Sequence, residues 1–183
     1  QLLIKLQAKE REIEKIIQNK NRIYILNKQD LADPEITSQW IKYFKDKGFH
    51  VTAIDGSVEL CKFASELTGL EVKQMYFQDL CDVEVYDAIW ACSSILHLPY
   101  SDLKDVMLKM IVALKQDGII YTSFKYGNYE GMRNGRYFTD MDNTKFDDFI
   151  SQYPNITVEE LWVTGDVRPG CSNEQWLNVI LRK

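Results

Sequence analysis

The residues best suited to chemistry directly follow predicted strands. Asp55 is the last residue of the apolar run His50–Asp55. A carboxylate at the carboxyl end of a strand in a nucleotide-binding α/β fold can accept hydrogen bonds from ribose hydroxyls. Its alternative role is a helix N-cap, which Ser57 could share. His97 follows the predicted strand 86–92 and is a candidate general base, or a residue that orients a nucleophile, because imidazole titrates near neutral pH. A structural role is the alternative for this histidine.

A second group of candidates is basic and aromatic and lies in predicted loops. It comprises Lys125, Tyr126, Arg133, Arg136 and Arg168. Loops of this kind cap the carboxyl ends of parallel strands, where ligands bind in open α/β sheets. The group therefore predicts a pocket for an anionic substrate, and the alternative is a solvated loop with ordinary charges.

Composition and cysteine spacing exclude several classes of protein. The chain has 183 residues, 45% of them hydrophobic and 27% charged, with a net charge of -5, which is typical of a globular protein and gives no cationic field for nucleic acid. No apolar run approaches the roughly 20 residues that span a bilayer. The four cysteines form no C-x-x-C pair and only two histidines accompany them. We therefore expect no metal site, reduced thiols and a cytoplasmic location.

The elements that must position these residues alternate along the chain. An amphipathic helix is predicted over residues 1–18, followed by a strand over 22–26, a polar loop over 27–33 and a helix that Pro34 opens and Gly48 ends. Further strands are predicted at 50–55, 71–77, 86–92 and 119–124, and two closing strands at 156–163 and 176–181. A helix that ends near Leu67 follows the strand at 50–55, and two more helices are predicted at 101–115 and 143–152. Residues 126–142 are predicted to be irregular. This order predicts a single three-layer α-β-α Rossmann-like domain over residues 1–183, mostly parallel with an antiparallel C-terminal hairpin.

From about residue 49 onward the chain resembles a class I S-adenosylmethionine-dependent methyltransferase. The resemblance is closest to the small bacterial proteins grouped near the tellurite-resistance methyltransferases. It rests on His-Val-Thr-Ala-Ile-Asp-Gly-Ser at 50–57, Gln-Asp-Leu at 78–80, and the segments 86–99, 114–125 and 133–138. The resemblance implies S-adenosylmethionine as cofactor and a small-molecule methyl acceptor as partner.

The same resemblance implies a set of cofactor contacts. They are Asp55, Gly56, Asp79, Leu80, Cys92 and Ser93. Asp55 is expected at the ribose and Asp79 at the adenine amino group, with a turn aspartate as the alternative for Asp79. Cys92, Ser93 and Ser94 are expected beside the methionine end of the cofactor, with a tight strand-to-loop turn as the alternative.

Residues from about 13 to 48 resemble a different family, the circularly permuted ribosome-biogenesis GTPases. Asn27, Lys28 and Asp30 match the Asn-Lys-x-Asp motif that reads guanine in that family, and an Asp-Pro-x-x-Thr-x-x-Trp sequence is present at 33–40. The chain has no Gly-x-x-x-x-Gly-Lys-Ser/Thr loop to hold phosphates. The sequence therefore predicts no GTP hydrolysis, and weak guanine binding at most.

Together the two resemblances predict a chimera in which residues 1–48 replace the first strand–helix unit of a methyltransferase that continues over 49–183. Both parents are Rossmann-like, so the exchange preserves strand spacing. The glycine-rich turn that lets main chain approach the cofactor is absent, and Asp30 and Asp33 would repel the cofactor carboxylate. We therefore expect weakened or lost cofactor binding.

Two alternative functions and two origins stay open. The alternative functions are an active small-molecule methyltransferase with a remodelled loop and a guanine-nucleotide binding module without GTPase activity. The two origins are a fusion made in the laboratory and natural recombination. No nucleic-acid or membrane partner is expected, and the protein is expected to be a monomer or a weak dimer.

Overall fold

The computed structural model of the chain describes residues 22–27, 34–166 and 173–183. The predicted helix over residues 1–18 lies outside the described residues. So do Lys28 and Asp30 of the guanine-type motif, and Arg168 of the proposed substrate pocket.

The elements follow one another in the predicted alternation. Strands are β1 (Arg22–Asn27), β2 (His50–Asp55), β3 (Val72–Gln74), β4 (Tyr86–Ala91), β5 (Leu114–Lys125), β6 (Glu130–Arg133), β7 (Arg136–Thr139), β8 (Thr157–Gly165) and β9 (Gln175–Arg182). Helices are α1 (Pro34–Asp46), α2 (Val58–Thr68), α3 (Tyr100–Ala113) and α4 (Asn143–Ile150), with short 3-10 helices at Phe77–Asp79 and Ile95–His97. Among the described residues, no helix is long and apolar enough to cross a membrane.

Seven strands form one sheet in the order β3-β2-β1-β4-β5-β9-β8. The first five of these strands pair in parallel, and β9 is antiparallel to both β5 and β8. This confirms the predicted mostly parallel sheet with an antiparallel C-terminal hairpin. The chain runs outward from β1 to β3 on one side and from β4 onward on the other, so the strand order reverses between β1 and β4. Ligands of open α/β sheets bind at such a switch point, outside the carboxyl ends of the strands.

Two apolar layers cover the two faces of the sheet. One contains Trp40, Ile41 and Phe44 of α1 with Cys61 and Ala64 of α2, packed on residues of the central strands such as Ile23 and Trp90. The other is larger and contains the buried side chains of α3 and α4, packed on residues such as Tyr24 and Ile120. Helices therefore lie on both faces, as the three-layer prediction requires.

Several predicted boundaries are wrong. The third strand covers only Val72–Gln74, because residues 77–79 form a 3-10 helix whose start is capped by the Asp79 carboxylate, an acceptor for the Tyr76 N–H at 3.2 Å. Asn27 belongs to β1 and not to the following loop. The third helix ends at Ala113, and β5 begins at the next residue rather than at Ile119.

The region 126–142, predicted as irregular, contains a two-stranded ribbon of β6 and β7. Arg133 pairs with Arg136, so the turn consists of Asn134 and Gly135, whose φ angles are 52° and 76°. A two-residue turn with both φ angles positive is the type I′ turn that Asn-Gly favours, because it matches the twist of the strands. The Asn-Gly pair was therefore the signal that the sequence prediction overlooked.

Candidate functional site

The candidate site residues stand at the carboxyl ends of the central strands. Asn27 is the register partner of Asp55, so β1 and β2 end side by side at the switch point. Ala91, the last residue of β4, is the partner of Thr122, and β5 continues beyond it to Lys125. The edge predicted to bind the cofactor is thus built from four adjacent strand ends.

Asp55 is buried and organises the turn between β2 and α2. Its Oδ1 accepts the Ser57 N–H at 2.8 Å, and its carbonyl accepts the Met75 N–H at 3.0 Å. Ser57 is the N-cap of α2, since its hydroxyl oxygen accepts the Leu60 N–H at 3.3 Å. The cap that the sequence left open between these two residues therefore belongs to Ser57, and the Asp55 carboxylate supports the turn before the helix.

Gly56 lies against an aromatic ring that the sequence analysis did not single out. A Cβ at this position would lie 3.2 Å from the Tyr76 ring, so only glycine lets the ring approach this closely without a shift. The Gln74 side chain donates to the Gly56 carbonyl at 3.3 Å. Tyr76 is 58% exposed, and its ring presents an apolar face beside the end of β2.

Asp79 and Leu80 lie shortly after Tyr76 in the chain. The Asp79 carboxylate is exposed and caps its own 3-10 helix, which is the turn role that the sequence left open for it. Leu80 is buried in the larger apolar layer. The structure thus joins Asp55, Gly56 and Asp79 into one group through β2, β3 and the first 3-10 helix.

Cys92, Ser93 and Ser94 form the turn from β4 into the second 3-10 helix. Ser93 has a φ of 53°, a conformation that non-glycine residues adopt at a cost. Its N–H donates to the Ser123 hydroxyl at 2.8 Å. The Ser94 hydroxyl is buried and has no hydrogen-bond partner among the described residues. Ser123 was missed by the sequence analysis, although a serine inside the apolar run 119–124 was a usable signal.

His97 contacts the β6–β7 ribbon. Its Nδ1 lies 2.8 Å from the Tyr137 carbonyl oxygen, and its ring lies edge-on to the Phe138 ring, with centroids 4.7 Å apart. A carbonyl only accepts, so Nδ1 carries the proton in this contact. The Thr139 hydroxyl also donates to the Leu98 carbonyl at 2.7 Å. These contacts join the ribbon to the 3-10 helix and favour the structural alternative for His97.

Lys125 is committed to an ion-pair cluster at the base of the β8–β9 connection. Its Nζ lies 3.1 Å from the Asp166 carboxylate, contacts the Glu174 carboxylate, and sits 4.3 Å from the centre of the Trp176 ring. The Trp176 indole N–H donates to Asp166 at 2.9 Å. The positive charge of Lys125 is thus balanced by protein carboxylates, while the neighbouring Tyr126 is 39% exposed.

Arg133 is also paired inside the chain. One of its guanidinium nitrogens donates to both oxygens of the Asp140 carboxylate, at 2.6 and 2.8 Å, and the group lies over the Tyr129 and Phe138 rings. Burial raises the pKa of Asp140, and the contact with Arg133 opposes that rise. Arg136, at the far end of the ribbon turn, has no ion-pair partner among the described residues. Two of the four basic residues of the predicted group are therefore paired with carboxylates, and a third, Arg168, lies outside the described residues.

No metal centre is evident in the described part of the chain. Within residues 22–27, 34–166 and 173–183, no group of three or more His, Cys, Asp or Glu side chains is arranged to hold a metal ion. The carboxyl edge presents carboxylates, hydroxyls and main-chain groups that can form hydrogen bonds.

The fold is shared with solved methyltransferases. An S-adenosylmethionine-dependent methyltransferase from Methanosarcina mazei superposes with a TM-score of 0.74 and 12% identity, covering 94% of this chain and 96% of that protein. The chain has the same fold as this methyltransferase. The 1,6-didemethyltoxoflavin-N1-methyltransferase of Burkholderia thailandensis, whose structure contains its substrate and S-adenosylhomocysteine, gives 0.71 and 13% identity over 99% of this chain and 85% of its own.

The sequence carries the same signal over part of its length. Residues 36–122 match the family described as a methyltransferase domain. This match begins inside α1, before the boundary near residue 49 that the sequence analysis assigned to the methyltransferase-like part. Most of helix α1 therefore falls within the sequence range that matches this family, although Gly-x-Gly-x-Gly does not precede it.

A short segment matches a second kind of protein. Over 43 residues the chain is 54% identical to ribosome biogenesis GTPase A of Priestia megaterium. This segment makes up 24% of this chain and 15% of that protein. The chain thus spans a small fraction of the length of these curated relatives. A methyltransferase fold and a GTPase-related segment occur together in one chain, as the sequence analysis predicted.

Proposed function

We propose that this chain is a hybrid, single-domain protein with S-adenosylmethionine-dependent methyltransferase architecture, in which a GTPase-related segment within residues 1–48 replaces the first strand–helix unit. In this proposal the cofactor binds weakly and the methyl acceptor is a small molecule. The observation that carries the proposal is the register of Asn27 with Asp55 at the switch point. It places a strand end without a glycine turn directly beside the carboxylate expected at the ribose.

The adenosine half of the cofactor fits the residues present. Asp55 is a buried carboxylate at a strand end, Gly56 leaves main chain uncovered by a Cβ, and the exposed ring of Tyr76 offers an apolar surface. Asp79, three residues after Tyr76 in the chain, supplies an exposed carboxylate. These groups would bind the ribose and adenine, since carboxylates accept from hydroxyl and amino groups.

The methionine half fits less well. The Ser94 hydroxyl is a buried polar atom with no partner in the described chain and lies on the turn expected beside this half. Residues 28–33, which come directly after β1, read Lys-Gln-Asp-Leu-Ala-Asp and contain no glycine. Side chains in place of a glycine turn would crowd the amino-acid part of the cofactor, and the carboxylates of Asp30 and Asp33 would repel its carboxylate. This mismatch is the reason for the proposed weak binding.

When bound, S-adenosylmethionine supplies an electrophilic methyl group to the acceptor. The contribution of this chain is to hold the adenosine and to place the acceptor at the carboxyl ends of β4 and β5. Lys125 and Arg133 are paired with carboxylates, so neither brings an unbalanced positive charge to this edge. A strongly anionic acceptor is therefore less favoured than the sequence suggested.

Calorimetric titration with S-adenosylhomocysteine tests the proposal. We expect a Kd on the order of 100 µM for the native chain. Asp55→Asn keeps an oxygen for the Ser57 N–H but removes the charge, and should weaken binding about 10- to 100-fold, because hydrogen bonds to charged groups contribute about 1.5–3 kcal/mol. Asp105→Asn, at an exposed position on α3, is the matched control and should bind as the native chain does.

Two outcomes of that titration contradict the proposal in different ways. Absence of heat at millimolar ligand would remove the cofactor from the proposal. A Kd near 1 µM or below would contradict the weakening and favour the alternative of a working methyltransferase, in which case transfer of a labelled methyl group to candidate acceptors is the next measurement.

Guanine-nucleotide binding is the second candidate, and the match to ribosome biogenesis GTPase A favours it. Asn27, Lys28 and Asp30 would contact the guanine, and the missing phosphate loop limits the affinity. Titration with GDP, with adenosine diphosphate as the matched ligand, tests this candidate. A GDP signal that disappears in Asp30→Ala supports the assignment, and a signal that survives the substitution removes it.

A further inference from the structure

The strand β5 contributes a buried hydroxyl to the turn at the end of β4. Ser123 is fully buried and lies beyond the last residue pair of β4 and β5, Ala91 with Thr122. Its hydroxyl oxygen accepts the Ser93 N–H at 2.8 Å and lies 3.2 Å from the Ser93 hydroxyl. It also lies 3.8 Å from the Cys92 sulfur. One hydroxyl thus contacts two consecutive residues of the neighbouring turn.

Those contacts fix a conformation that serine does not favour. The φ of Ser93 is 53°, in the left-handed region, where a non-glycine residue stores about 1–3 kcal/mol of strain unless its surroundings hold it there. The hydrogen bond from the Ser93 N–H to Ser123 exists only while the turn keeps this geometry. Ser123 therefore offsets the cost of the turn.

The turn sets the position of the second 3-10 helix, Ile95–His97. Ser94 continues directly from Ser93 into this helix, and the His97 N–H donates to the Ser94 carbonyl at 3.3 Å. If Ser93 relaxes to a negative φ, the direction of the chain changes at the start of the helix. The buried Ser94 hydroxyl would then leave its place at the carboxyl edge.

We propose that Ser123 is a positioning residue: it pins the turn at residues 92–94 so that this turn can border the methionine end of the cofactor. The inference rests on the proposed function for the identity of the ligand, whereas the pinning itself is a property of the free protein. Ser123 acts through Ser93 and contacts no ligand in this proposal.

The first test needs no ligand. Alkylation of the native chain by iodoacetamide is monitored at Cys92 by peptide mass spectrometry, with the exposed Cys81 as the internal reference. Ser123→Ala should raise the Cys92 rate relative to Cys81 by about fivefold, the factor expected when about 1 kcal/mol of hydrogen bonding is lost. Ser151→Ala, which removes an exposed hydroxyl at the end of α4, should leave the ratio unchanged.

A compensating variant separates pinning from simple loss of packing. Glycine adopts a positive φ without strain, so Ser93→Gly combined with Ser123→Ala should return the Cys92 rate most of the way to the native value. A native rate in Ser123→Ala, or a double variant as reactive as Ser123→Ala, overturns the proposal. If Ser123→Ala does not fold, Ser123→Gly, which also removes the hydroxyl and adds no thiol beside Cys92, takes its place in the same comparison.

The second test links the pin to the cofactor. S-adenosylhomocysteine affinity should fall about fivefold in Ser123→Ala and recover in the double variant. An unchanged affinity beside a raised Cys92 rate overturns the positioning role and leaves a local packing contact. If the native chain binds no S-adenosylhomocysteine, the proposed function fails and the positioning role at the cofactor fails with it, while the alkylation result still decides whether Ser123 pins the turn.

Discussion

The N-terminal segment, which we define as β1 and α1, and the β4–β5 pair meet at the same switch point but differ in what they bring to it. The N-terminal segment packs as a full part of the fold: Trp40 lies 4.7 Å from Trp90, ring centre to ring centre, and Phe44 lies 5.4 Å from it. The β4–β5 pair adds a pinned turn with hydroxyls at the carboxyl edge. The two regions therefore contribute different things to the molecule: the N-terminal segment fills the core, and the β4–β5 pair presents hydroxyls at the carboxyl edge.

The difference arises because the two tasks have different requirements. Apolar packing needs side chains of suitable size on one face, and exchange of one such set for another is tolerated when the volume is kept. Main-chain pairing in the sheet uses backbone N–H and C=O groups, which every residue except proline supplies in full. A cofactor turn, by contrast, needs particular φ angles and the absence of Cβ atoms at particular positions. The first condition is met by β1 and α1, and the sequence directly after β1 lacks the glycines that favour the second.

The largest expected effect comes from removing a buried aromatic side chain, and it tests whether the N-terminal segment contributes as much to stability as the other face of the sheet does. Phe44 on one face of the sheet and Phe146 on the other are both at most 1% exposed. We expect Phe44→Ala and Phe146→Ala to lower the free energy of unfolding by similar amounts, about 3–5 kcal/mol each, in urea denaturation monitored by circular dichroism. A loss below about 1 kcal/mol for Phe44→Ala alone would mean that the N-terminal segment is only loosely attached.

His97 provides the next largest effect, on the β4–β5 side of the comparison. His97→Asn retains an N–H donor for the Tyr137 carbonyl, whereas His97→Ala leaves that acceptor without its donor. We expect His97→Ala to lower the free energy of unfolding by about 1–3 kcal/mol and His97→Asn by clearly less.

A catalytic role for His97 predicts a different pattern in the same two variants, His97→Ala and His97→Asn. If His97 is a general base, both substitutions abolish methyl transfer equally, because neither side chain titrates near neutral pH. Equal stability losses in the two variants would contradict the ribbon-holding role. The two readouts together therefore distinguish the structural role from the catalytic one that the sequence left open.

The sequence predicted the sheet well because strand and helix signals were strong where burial was complete. The run Arg22–Leu26 and the run 86–92 are apolar and short, as buried parallel strands are, and both form central strands. Gly48, with a φ of 86°, lies just past the end of α1 as predicted. The predictions that were wrong concern features set by single contacts, such as the early end of β3, which is followed by the 3-10 helix that Asp79 caps.

The site was harder to predict for a physical reason. Lys125 and Arg133 were expected to face an anion, but their partners Asp166 and Asp140 lie 41 and 7 residues away along the chain. Pairing at the longer separation depends on the closing hairpin and has no local signature. Ser123 likewise has its proposed role only because β5 extends beyond the end of β4 at the edge of the sheet.

Asp140 gives a smaller, pH-dependent effect. Burial raises its pKa above that of the unfolded chain, so its contribution to stability is fully present below the unfolded pKa and is lost as the pH rises through the folded pKa. The stability of the native chain relative to Asp140→Asn should therefore fall between about pH 4 and neutrality. Urea denaturation of both proteins at several pH values measures this difference. A relative stability that rises with pH would mean that attraction to Arg133 outweighs the burial of the carboxylate.

The smallest expected effect concerns a charged contact between the N-terminal segment and the rest of the fold. The Lys45 ammonium group on α1 donates to the carbonyl of Thr68, the last residue of α2, at 2.8 Å. A cation at an exposed helix C-terminus contributes about 0.3–1 kcal/mol, and salt screens it. Lys45→Met should therefore lower stability by that amount at low salt and by less at high salt, while Lys42→Met, at an exposed position on α1, should do neither. A loss comparable to that of Phe44→Ala would contradict the view that apolar packing, rather than charge pairing, joins the N-terminal segment to the rest of the fold.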